Sequence, residues 1–261
     1  MPVKTILLFR SKTDDTSNED VYEKLLTDRG YIVKTISPIQ FHFINQDLLS
    51  TKLKSDDYYA LIFTSKRAVE AVQRVLTDDD RKRWQRIYVE GPATGALGKE
   101  LFNSTIDILG METGGGESLA EFIIQDVQNK EEDVRLLFPC AQARLDILPN
   151  RLSNAPGIHL DEIMVYETIP SESLDQDLKE YLANYGIPDV LGFFSPSGFD
   201  SVYKSCQRID FDLADNKSIL ISLGKTTSAA IRKCLESTSF DERSCSKPTA
   251  EEFLRIVENI K

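Results

Sequence analysis

The sequence predicts an α/β protein of two lobes, each with a parallel β-sheet covered by helices on both faces. The first observation is that continuous apolar runs, such as the one from Val3 to Phe9, alternate with stretches of helical length. The second is that the two halves of the chain match at an offset of about 130 residues. That offset is too long for a solenoid unit and suits a duplicated domain.

The clearest match is a strand followed by a glycine turn and a helix, at residues 87–97 and again at 219–231. Each copy has threonine in the first turn of the predicted helix. The other matching pairs are residues 5–10 with 134–139, 60–69 with 191–199, and 118–123 with 250–255.

The turn at Gly224 resembles the end of a phosphate-binding P-loop but lacks its defining first glycine. Gly224-Lys225-Thr226 matches the last part of that signature, whereas Ile219 stands where the earlier glycine is required. A strand that ends at Gly224 before a hydroxyl-rich helix start still presents free backbone N–H groups. Because the helix dipole points the same way, we expect this turn to accept a small anion.

Composition and charge narrow the class of protein. The chain has 261 residues, 41% of them hydrophobic and 28% charged, which suits two ordinary globular domains. The net charge of -11 argues against nucleic acid and anionic membranes as partners, but not against a small anion held by local donors. No apolar run reaches the length of a membrane span, and the chain starts directly on a strand instead of a signal peptide.

Cysteine and histidine content predicts a cytoplasmic protein that works without metal. The four cysteines show no paired spacing, which is typical of reduced thiols inside the cell. His42 and His159 are too few for a histidine metal site or a Ser-His-Asp relay.

Local signals predict the elements in order. Continuous apolar runs predict strands, and glycine, proline or hydroxylated residues at the ends of periodic stretches delimit helices. Residues 40–54 have mixed character, 78–86 are interpreted as a solvated loop or helix end, and 114–116 as a flexible loop with a ligand loop as the alternative. The predicted strands are residues 3–9, 31–36, 57–63, 87–90, 106–109, 134–138, 159–166, 189–194 and 219–223; the helices are 18–29, 66–76, about 144–152, 173–185, 197–206 and 249–260, with others after Gly91, Gly116 and Gly224.

Ligands of open parallel sheets bind at the carboxyl ends of the strands. In this chain those ends carry hydroxyls, glycines and a few cations, and Glu90 is nearly the only carboxylate. We therefore expect a donor-rich, anion-accepting edge on each sheet.

Six short motifs follow one another over nearly the whole chain. They are Phe63-Thr64-Ser65 with 67–71, Leu137-Phe138-Pro139-Cys140, Ile147-Leu148-Pro149, Val165-Tyr166-Glu167-Thr168, 193–198 and Gly224-x-Thr226-Thr227. Taken together, these motifs resemble uroporphyrinogen-III synthases, and the eukaryotic branch most closely. The set is specific, although each motif alone is weak. Two positions depart from the family pattern, because Lys66 and Lys225 stand where proline is common.

The resemblance implies two flavodoxin-like lobes joined by a two-strand connector. One lobe would comprise residues 1–36 and 170–261 and the other residues 39–167, with connectors near 37–38 and 168–169. The duplication by itself points to a boundary near Asp133 instead. Two thin connectors predict lobes that move as near-rigid bodies.

The resemblance also implies a reaction, the closure of the linear tetrapyrrole hydroxymethylbilane to uroporphyrinogen III with inversion of the last ring and loss of water. The carboxylate arms of the pyrroles suit donor-rich strand ends. Free substrate cyclises unaided to the uninverted isomer, so the enzyme's task is positioning more than strong acid–base chemistry. No cofactor is implied, and we expect a monomer whose partner is the substrate released by the preceding deaminase step.

Tyr166 is the candidate catalytic residue. The resemblance implies that its hydroxyl assists departure of the substrate hydroxyl, and a tyrosine is protonated at neutral pH and able to donate a hydrogen bond. The alternative is a strand-end aromatic residue that only packs against a neighbour.

The candidate substrate-binding residues are donors and cations near the strand ends. The hydroxylated residues have a second interpretation as helix caps, the cations as solvated surface charges, and Cys140 as a packed corner, because no step needs a thiolate. The set is Arg10, Thr64, Ser65, Arg67, Thr94, Cys140, Arg144, Ser195, Pro196, Ser197, Lys217, Gly224, Lys225, Thr226 and Thr227.

Two other classes of function remain open on the residues alone. A non-catalytic, two-lobed binder or sensor of an anionic small molecule fits the donor-rich edges equally well. A phosphate-handling enzyme fits less well, because the P-loop glycine and an obvious magnesium carboxylate are missing.

Overall fold

The computed structural model describes residues 4–11, 20–102, 106–213, 217–235 and 240–260. The strands are β1 (Thr5–Phe9), β2 (Ile32–Ile36), β3 (Ile39–Phe43), β4 (Ala60–Phe63), β5 (Arg86–Val89), β6 (Asp107–Leu109), β7 (Val134–Ala141), β8 (Ile158–Pro170), β9 (Val190–Phe193), β10 (Ile219–Ser222) and β11 (Glu242–Ser244). The helices are α1 (Val21–Thr27), α2 (Gln46–Leu53), α3 (Lys66–Gln73), α4 (Asp78–Arg81), α5 (Pro92–Phe102), α6 (Gly116–Val127), α7 (Ile147–Ser153), α8 (Leu174–Tyr185), α9 (Pro196–Arg208), α10 (Lys225–Cys234) and α11 (Ala250–Glu258).

The chain divides into two compact units. Unit 1 comprises Met1–Gln40 with Ile169–Lys261, and unit 2 comprises Phe41–Thr168. Within the described residues, unit 1 has a sheet in the order β11-β10-β9-β1-β2, and its neighbouring strands all pair in parallel. The sheet of unit 2 has the order β3-β8-β7-β4-β5-β6, and the pairs from β8 to β6 are parallel.

The sheet of unit 1 is buried on both faces. In β1, Leu7 and Phe9 pack into one core cluster, whereas Ile6 and Leu8 pack into the cluster on the opposite face. The first cluster is covered by α8, α9 and α10, and the second by α1 and α11. The four consecutive buried apolar residues from Ile6 to Phe9 are what a parallel sheet covered on both faces requires.

Unit 2 repeats this layering. One face of its sheet packs against α2, α3 and α5, and the other against α6 and α7. In β4, Leu61 and Phe63 belong to the first core cluster, and Ala60 and Ile62 belong to the second. The predicted α/β class with parallel sheets is therefore confirmed.

Several predicted boundaries were wrong. The helix expected from about residue 144 begins at Ile147, because residues 142–146 form a loop whose Arg144 pairs with Glu162 and Asp146. The strand predicted at residues 159–166 does not end at Tyr166, since β8 continues to Pro170 beside β3. The segment 40–54, predicted to have mixed character, contains the end of β3 and all of α2. Strand β11 was not predicted.

Candidate functional site

The carboxyl edge of unit 1 gathers three predicted segments. Because β1, β9 and β10 are parallel neighbours, the residues that follow them lie side by side. Those residues are Arg10 after β1, Ser195 after β9 and Gly224 after β10.

Arg10 is held by an acidic residue and by two aromatic rings. Its Nη1 lies 3.0 Å from Asp20 Oδ1, and its guanidinium carbon lies 4.8 Å from the ring centre of Tyr22 and 4.9 Å from that of Phe194. Asp20 also caps α1 by accepting from the backbone N–H groups of Tyr22 and Glu23. The cation is therefore pre-oriented, and part of its charge is balanced by Asp20.

A cavity of about 250 Å³ opens beside this cation within unit 1. Its lining combines the Arg10 and Ser195 side chains with aromatic and aliphatic carbon. The lining residues are Phe9, Arg10, Ser11, Pro38, Ile39, Phe194 and Ser195.

The hydroxylated residues of unit 1 differ in their structural roles. Ser195 caps α9, because its Oγ accepts from Gly198 N at 3.0 Å, and Ser197 Oγ lies 3.5 Å from Ser195 Oγ. At the start of α10, Lys225 and Thr226 are exposed while Thr227 is buried. Pro196 occupies the first turn of α9, where its missing N–H costs nothing.

Gly224 leaves the first turn of α10 without a side-chain acceptor. Its φ of -174° is extended backbone that any residue adopts, so the glycine is not required by the backbone conformation. The matching turn in unit 2 differs, since Gly91 has a φ of 78°. That left-handed conformation favours glycine.

The structure separates Lys217 from the other predicted residues of unit 1. Lys217 is exposed and precedes β10, whereas Gly224 follows that strand. A strand of this length separates the two ends by about 13 Å.

In unit 2, Tyr166 and Ser65 are in direct contact. The Tyr166 hydroxyl donates to Ser65 Oγ at 3.0 Å, and the same oxygen accepts from Ala68 N at 3.2 Å as the N-cap of α3. Tyr166 is 9% exposed to solvent, and Thr64 and Ser65 are half-buried at the carboxyl end of β4.

A β-bulge directs Tyr166 toward Ser65. Cys140 pairs with Met164 and Ala141 with Tyr166, so β8 contains one extra residue, Val165, at this point. Both Val165 and Tyr166 consequently join the core cluster on the α3 face, although consecutive strand residues normally face opposite sides. Bulges commonly redirect a side chain in this way.

The ring of Phe41 packs against Tyr166 and holds it in place. Phe41 packs edge-on against Tyr166, with ring centres 6.0 Å apart, and the Arg67 guanidinium carbon lies 4.3 Å from the centre of the Phe41 ring. Arg67 also pairs with Glu70 at 2.6 Å. Phe41 was not predicted as a site residue; its only sequence signal was an aromatic residue within the mixed segment 40–54.

The remaining predicted residues of unit 2 are buried or paired with other residues of the protein. Thr94 is buried in the first turn of α5, and Arg144 pairs with Glu162 and Asp146. Cys140 is 1% exposed, its Sγ donates to the Ile163 carbonyl, and burial raises its thiol pKa to about 11. Cys140 is therefore a protonated core residue.

Glu90 is a carboxylate at the end of β5, close to the start of α6. Its Oε2 would lie 3.9 Å from a Cβ placed on Gly116, and desolvation raises the pKa of its carboxyl group. In the described part of the chain, no group of three or more His, Cys, Asp or Glu residues is arranged to hold a metal ion. No helix among these residues is long and apolar enough to cross a membrane.

Comparison with known proteins decides the family. The model of the family described as uroporphyrinogen-III synthase HemD matches residues 20–239, which is most of the chain. The chain belongs to the uroporphyrinogen-III synthase family. This finding confirms the resemblance inferred from the motifs, and with it the expectation of an enzyme, a lyase of haem biosynthesis.

Individual relatives carry the same description. A uroporphyrinogen-III synthase of Schizosaccharomyces pombe is 26% identical over 240 residues, which cover 88% of each chain. A mutant uroporphyrinogen III synthase of Thermus thermophilus is 12% identical, covers 98% of both chains and has a TM-score of 0.49. A wild-type structure of the Thermus thermophilus enzyme is also 12% identical, with a TM-score of 0.42 over 98% of this chain and 97% of the other.

Proposed function

We propose that this uroporphyrinogen-III synthase closes hydroxymethylbilane to uroporphyrinogen III, inverting the last ring and releasing water. The observation that carries the proposal is the family match, which spans the donor-rich strand ends of unit 2 and most of those of unit 1. The substrate's carboxylate arms need hydrogen-bond donors and cations, and both kinds of group are present at those ends.

The reaction mainly requires the two terminal rings of the substrate to be positioned. The linear substrate is already reactive, so the enzyme accelerates the inverted closure by holding the two terminal rings in the required geometry. In unit 1 we assign this holding role to Arg10, Ser195, Ser197 and the 224–227 turn. Arg10 is supported by its fixed orientation, and the turn by its exposed donors at the start of α10.

In unit 2 the proposed binding residues are Thr64, Ser65, Arg67 and Thr94. Ser65 and Arg67 are supported by their place in the same helix turn beside Tyr166. Pro196 and Lys225 stay in the set because they follow Ser195 and Gly224, and Arg144 stays as a cation in the loop after β7. Cys140 and Lys217 are left out, the first because it is buried in the core and the second because it precedes β10.

Tyr166 is the proposed catalytic residue. Its hydroxyl would assist departure of the substrate hydroxyl, after which the last ring attacks through its substituted carbon and then reopens and recloses in the inverted sense. The supporting observation is the bulge that directs this ring to the α3 turn.

We further propose that the two units descend from one duplicated, flavodoxin-like module and that β3 and β8 form the connector between them. The order β2-β1-β9-β10-β11 in unit 1 is the 2-1-3-4-5 order of flavodoxin, and β8-β7-β4-β5-β6 in unit 2 has the same pattern of neighbours. The proposal includes a cytoplasmic monomer whose units move as near-rigid bodies.

The test is an isomer assay. Freshly generated hydroxymethylbilane is mixed with the protein in the presence of a chelator, and the type I and type III products are oxidised to porphyrins and separated. We expect the type III isomer to dominate, at a rate proportional to protein concentration. Type I product alone, formed at the rate of a protein-free control, would refute the proposal and leave a binding protein as the alternative.

A further inference from the structure

The cavity beside Arg10 is lined by residues of unit 1, where the chain leaves β1, β2 and β9. Its volume of about 250 Å³ is smaller than the sites that enclose a drug-sized molecule, which measure about 300–1,000 Å³. A linear tetrapyrrole has four rings, each with carboxylate arms. The cavity is therefore suited to one ring with its arms and not to the whole chain of rings.

Arg10 has hydrogen-bond donors left for a ligand. A guanidinium carries five N–H donors in a planar fork. Asp20 accepts from Nη1, which lies 3.0 Å from each of its carboxylate oxygens, and the Nε and Nη2 groups have no acceptor among the described residues. The Arg10 side chain is only 18% exposed, so water reaches little of it. A carboxylate is the group that pairs best with such a fork.

Asp20 offsets only part of the positive charge of Arg10. The same carboxylate accepts from the backbone N–H groups of Tyr22 at 2.9 Å and Glu23 at 3.2 Å. Because these donors at the start of α1 also balance Asp20, the surroundings of Arg10 keep a positive potential. Arg10 is the one charged side chain among the described residues that line the cavity. The cavity therefore favours an anionic group.

Phe194 supplies an aromatic wall to the same cavity. Its ring is held edge-on by Tyr22, with ring centres 4.8 Å apart, and is stacked on Phe253 at 6.3 Å. Phe193, the preceding residue, is fully buried in the core, whereas Phe194 is half-buried and lines the cavity. An aromatic wall beside a cation matches a ligand that has both an aromatic ring and a carboxylate.

We propose that this cavity is a subsite for one carboxylate-bearing pyrrole ring, which packs against Phe194 while its carboxylate pairs with Arg10. The inference rests on the proposed function and adds Phe194 to the residues that bind substrate. It also adds a class of ligand. Because both contacts come from one small cavity of unit 1, a free monopyrrole with the same carboxylate arms binds there on its own.

The experiment uses two unreactive probes. The first is a monopyrrole with one acetate arm, one propionate arm and methyl groups on both α-carbons, which block condensation. The second is its dimethyl ester, which keeps the ring and removes the charge. The inhibition constant of each probe against hydroxymethylbilane is measured from the rate of type III isomer formation, for the wild type, Arg10→Met and Phe194→Leu.

We expect the acid to compete with hydroxymethylbilane in the wild type, with an inhibition constant on the order of 1 mM for a ligand of this size. The ester should bind at least about fivefold more weakly, since it cannot form the charged hydrogen bonds. Arg10→Met should abolish this difference between acid and ester. Phe194→Leu should weaken both probes about three- to tenfold and leave their ratio unchanged, because it removes the ring contact alone.

Phe240→Leu is the matched control, because Phe240 is a half-buried phenylalanine of the same unit that does not line the cavity. Both inhibition constants should be unchanged in this variant. Equal inhibition by acid and ester in the wild type, or unchanged constants in Phe194→Leu, would overturn the inference.

A measurement on the wild type alone covers the case in which Phe194→Leu does not fold. The Nε–H signal of Arg10 in a ¹⁵N-labelled sample, identified by its loss in Arg10→Met, should shift with the acid and stay in place with the ester. This readout needs no turnover. A wild type that forms no type III isomer refutes the proposed function, whereas type III formation without the Arg10 shift refutes only this inference.

Discussion

The hydroxyl of Tyr166 donates a hydrogen bond to Ser65 Oγ at 3.0 Å, although their strands are not neighbours in the sheet. Strand β7 lies between β8, which carries Tyr166, and β4, which Ser65 follows. Tyr166 pairs with Ala141, the last residue of β7, and the bulge at this point turns the tyrosine onto the α3 face. An aromatic residue of β8 is thereby connected to the N-cap of α3.

Tyr166→Phe should lower kcat more than it raises KM. The change keeps the ring and its contact with Phe41 but removes the hydroxyl. A general acid is worth about 10²–10⁴-fold and a single hydrogen bond several-fold, and we expect a loss between these limits. Steady-state kinetics with separated isomers measure it, and an unchanged kcat would assign Tyr166 to packing alone.

Arg10→Met should raise KM for hydroxymethylbilane several-fold and leave kcat less affected. The methionine fills much of the space between Tyr22 and Phe194 but removes the charge that would face a carboxylate arm. Asp20→Asn is the matched control, because asparagine can still cap α1 while Arg10 loses its counter-charge. We expect KM to fall or stay constant in that variant; equal KM increases in both variants would indicate a purely structural pair.

Gly192→Ala should destabilise the protein by about 1–3 kcal/mol through overpacking. A Cβ at Gly192 in β9 would lie 2.8 Å from Leu8 Cδ2 and 2.9 Å from Phe253 Cζ, both in the core. Gly114→Ala is the control, since a Cβ there meets nothing within 4 Å. Urea unfolding measures both free energies, and equal values for the two variants would contradict the packing argument.

Asp175→Asn should reduce the free energy of unfolding at neutral pH by about 1 kcal/mol. The expected value is modest because the ion pair of Asp175 with Arg208 is solvent-exposed. Asp175 accepts from Arg208 Nε and Nη2, both at 2.7 Å, and from Ser205, and these bonds lower its pKa to about 2. The folded-state pKa lies below the unfolded value of about 3.9, so the stabilisation is present above about pH 4 and is lost as the pH falls toward 2.

The difference between wild type and Asp175→Asn should therefore shrink as the pH is lowered from 6 to 3. Denaturant unfolding at several pH values tests this expectation. Asp200→Asn, which breaks the exposed pair with Lys204 on the same helix, serves as the control and should change stability little. A difference that grows on acidification would contradict the assigned direction of the pKa shift.

Several features of the fold and of the candidate site could be predicted from the sequence, because interactions between residues close together in the chain determine them. The apolar run of β1 specifies a strand buried on both faces, because every position must meet a covering helix. Ser65 and Ser195 follow strands and cap helices, and such caps act within a few residues. The family motifs are likewise short segments in a fixed order, so they could be identified from the sequence alone.

Other features depended on contacts between distant parts of the chain. Simple alternation along β8 would place Tyr166 on the face opposite Val165. Only the register with β7 reveals the bulge that places both side chains on the same face. Strand register depends on pairing between segments far apart in sequence, and no local pattern encodes it. The same reason explains why Phe41 was not predicted beside Tyr166, since that contact joins residues 125 positions apart and requires the folded unit.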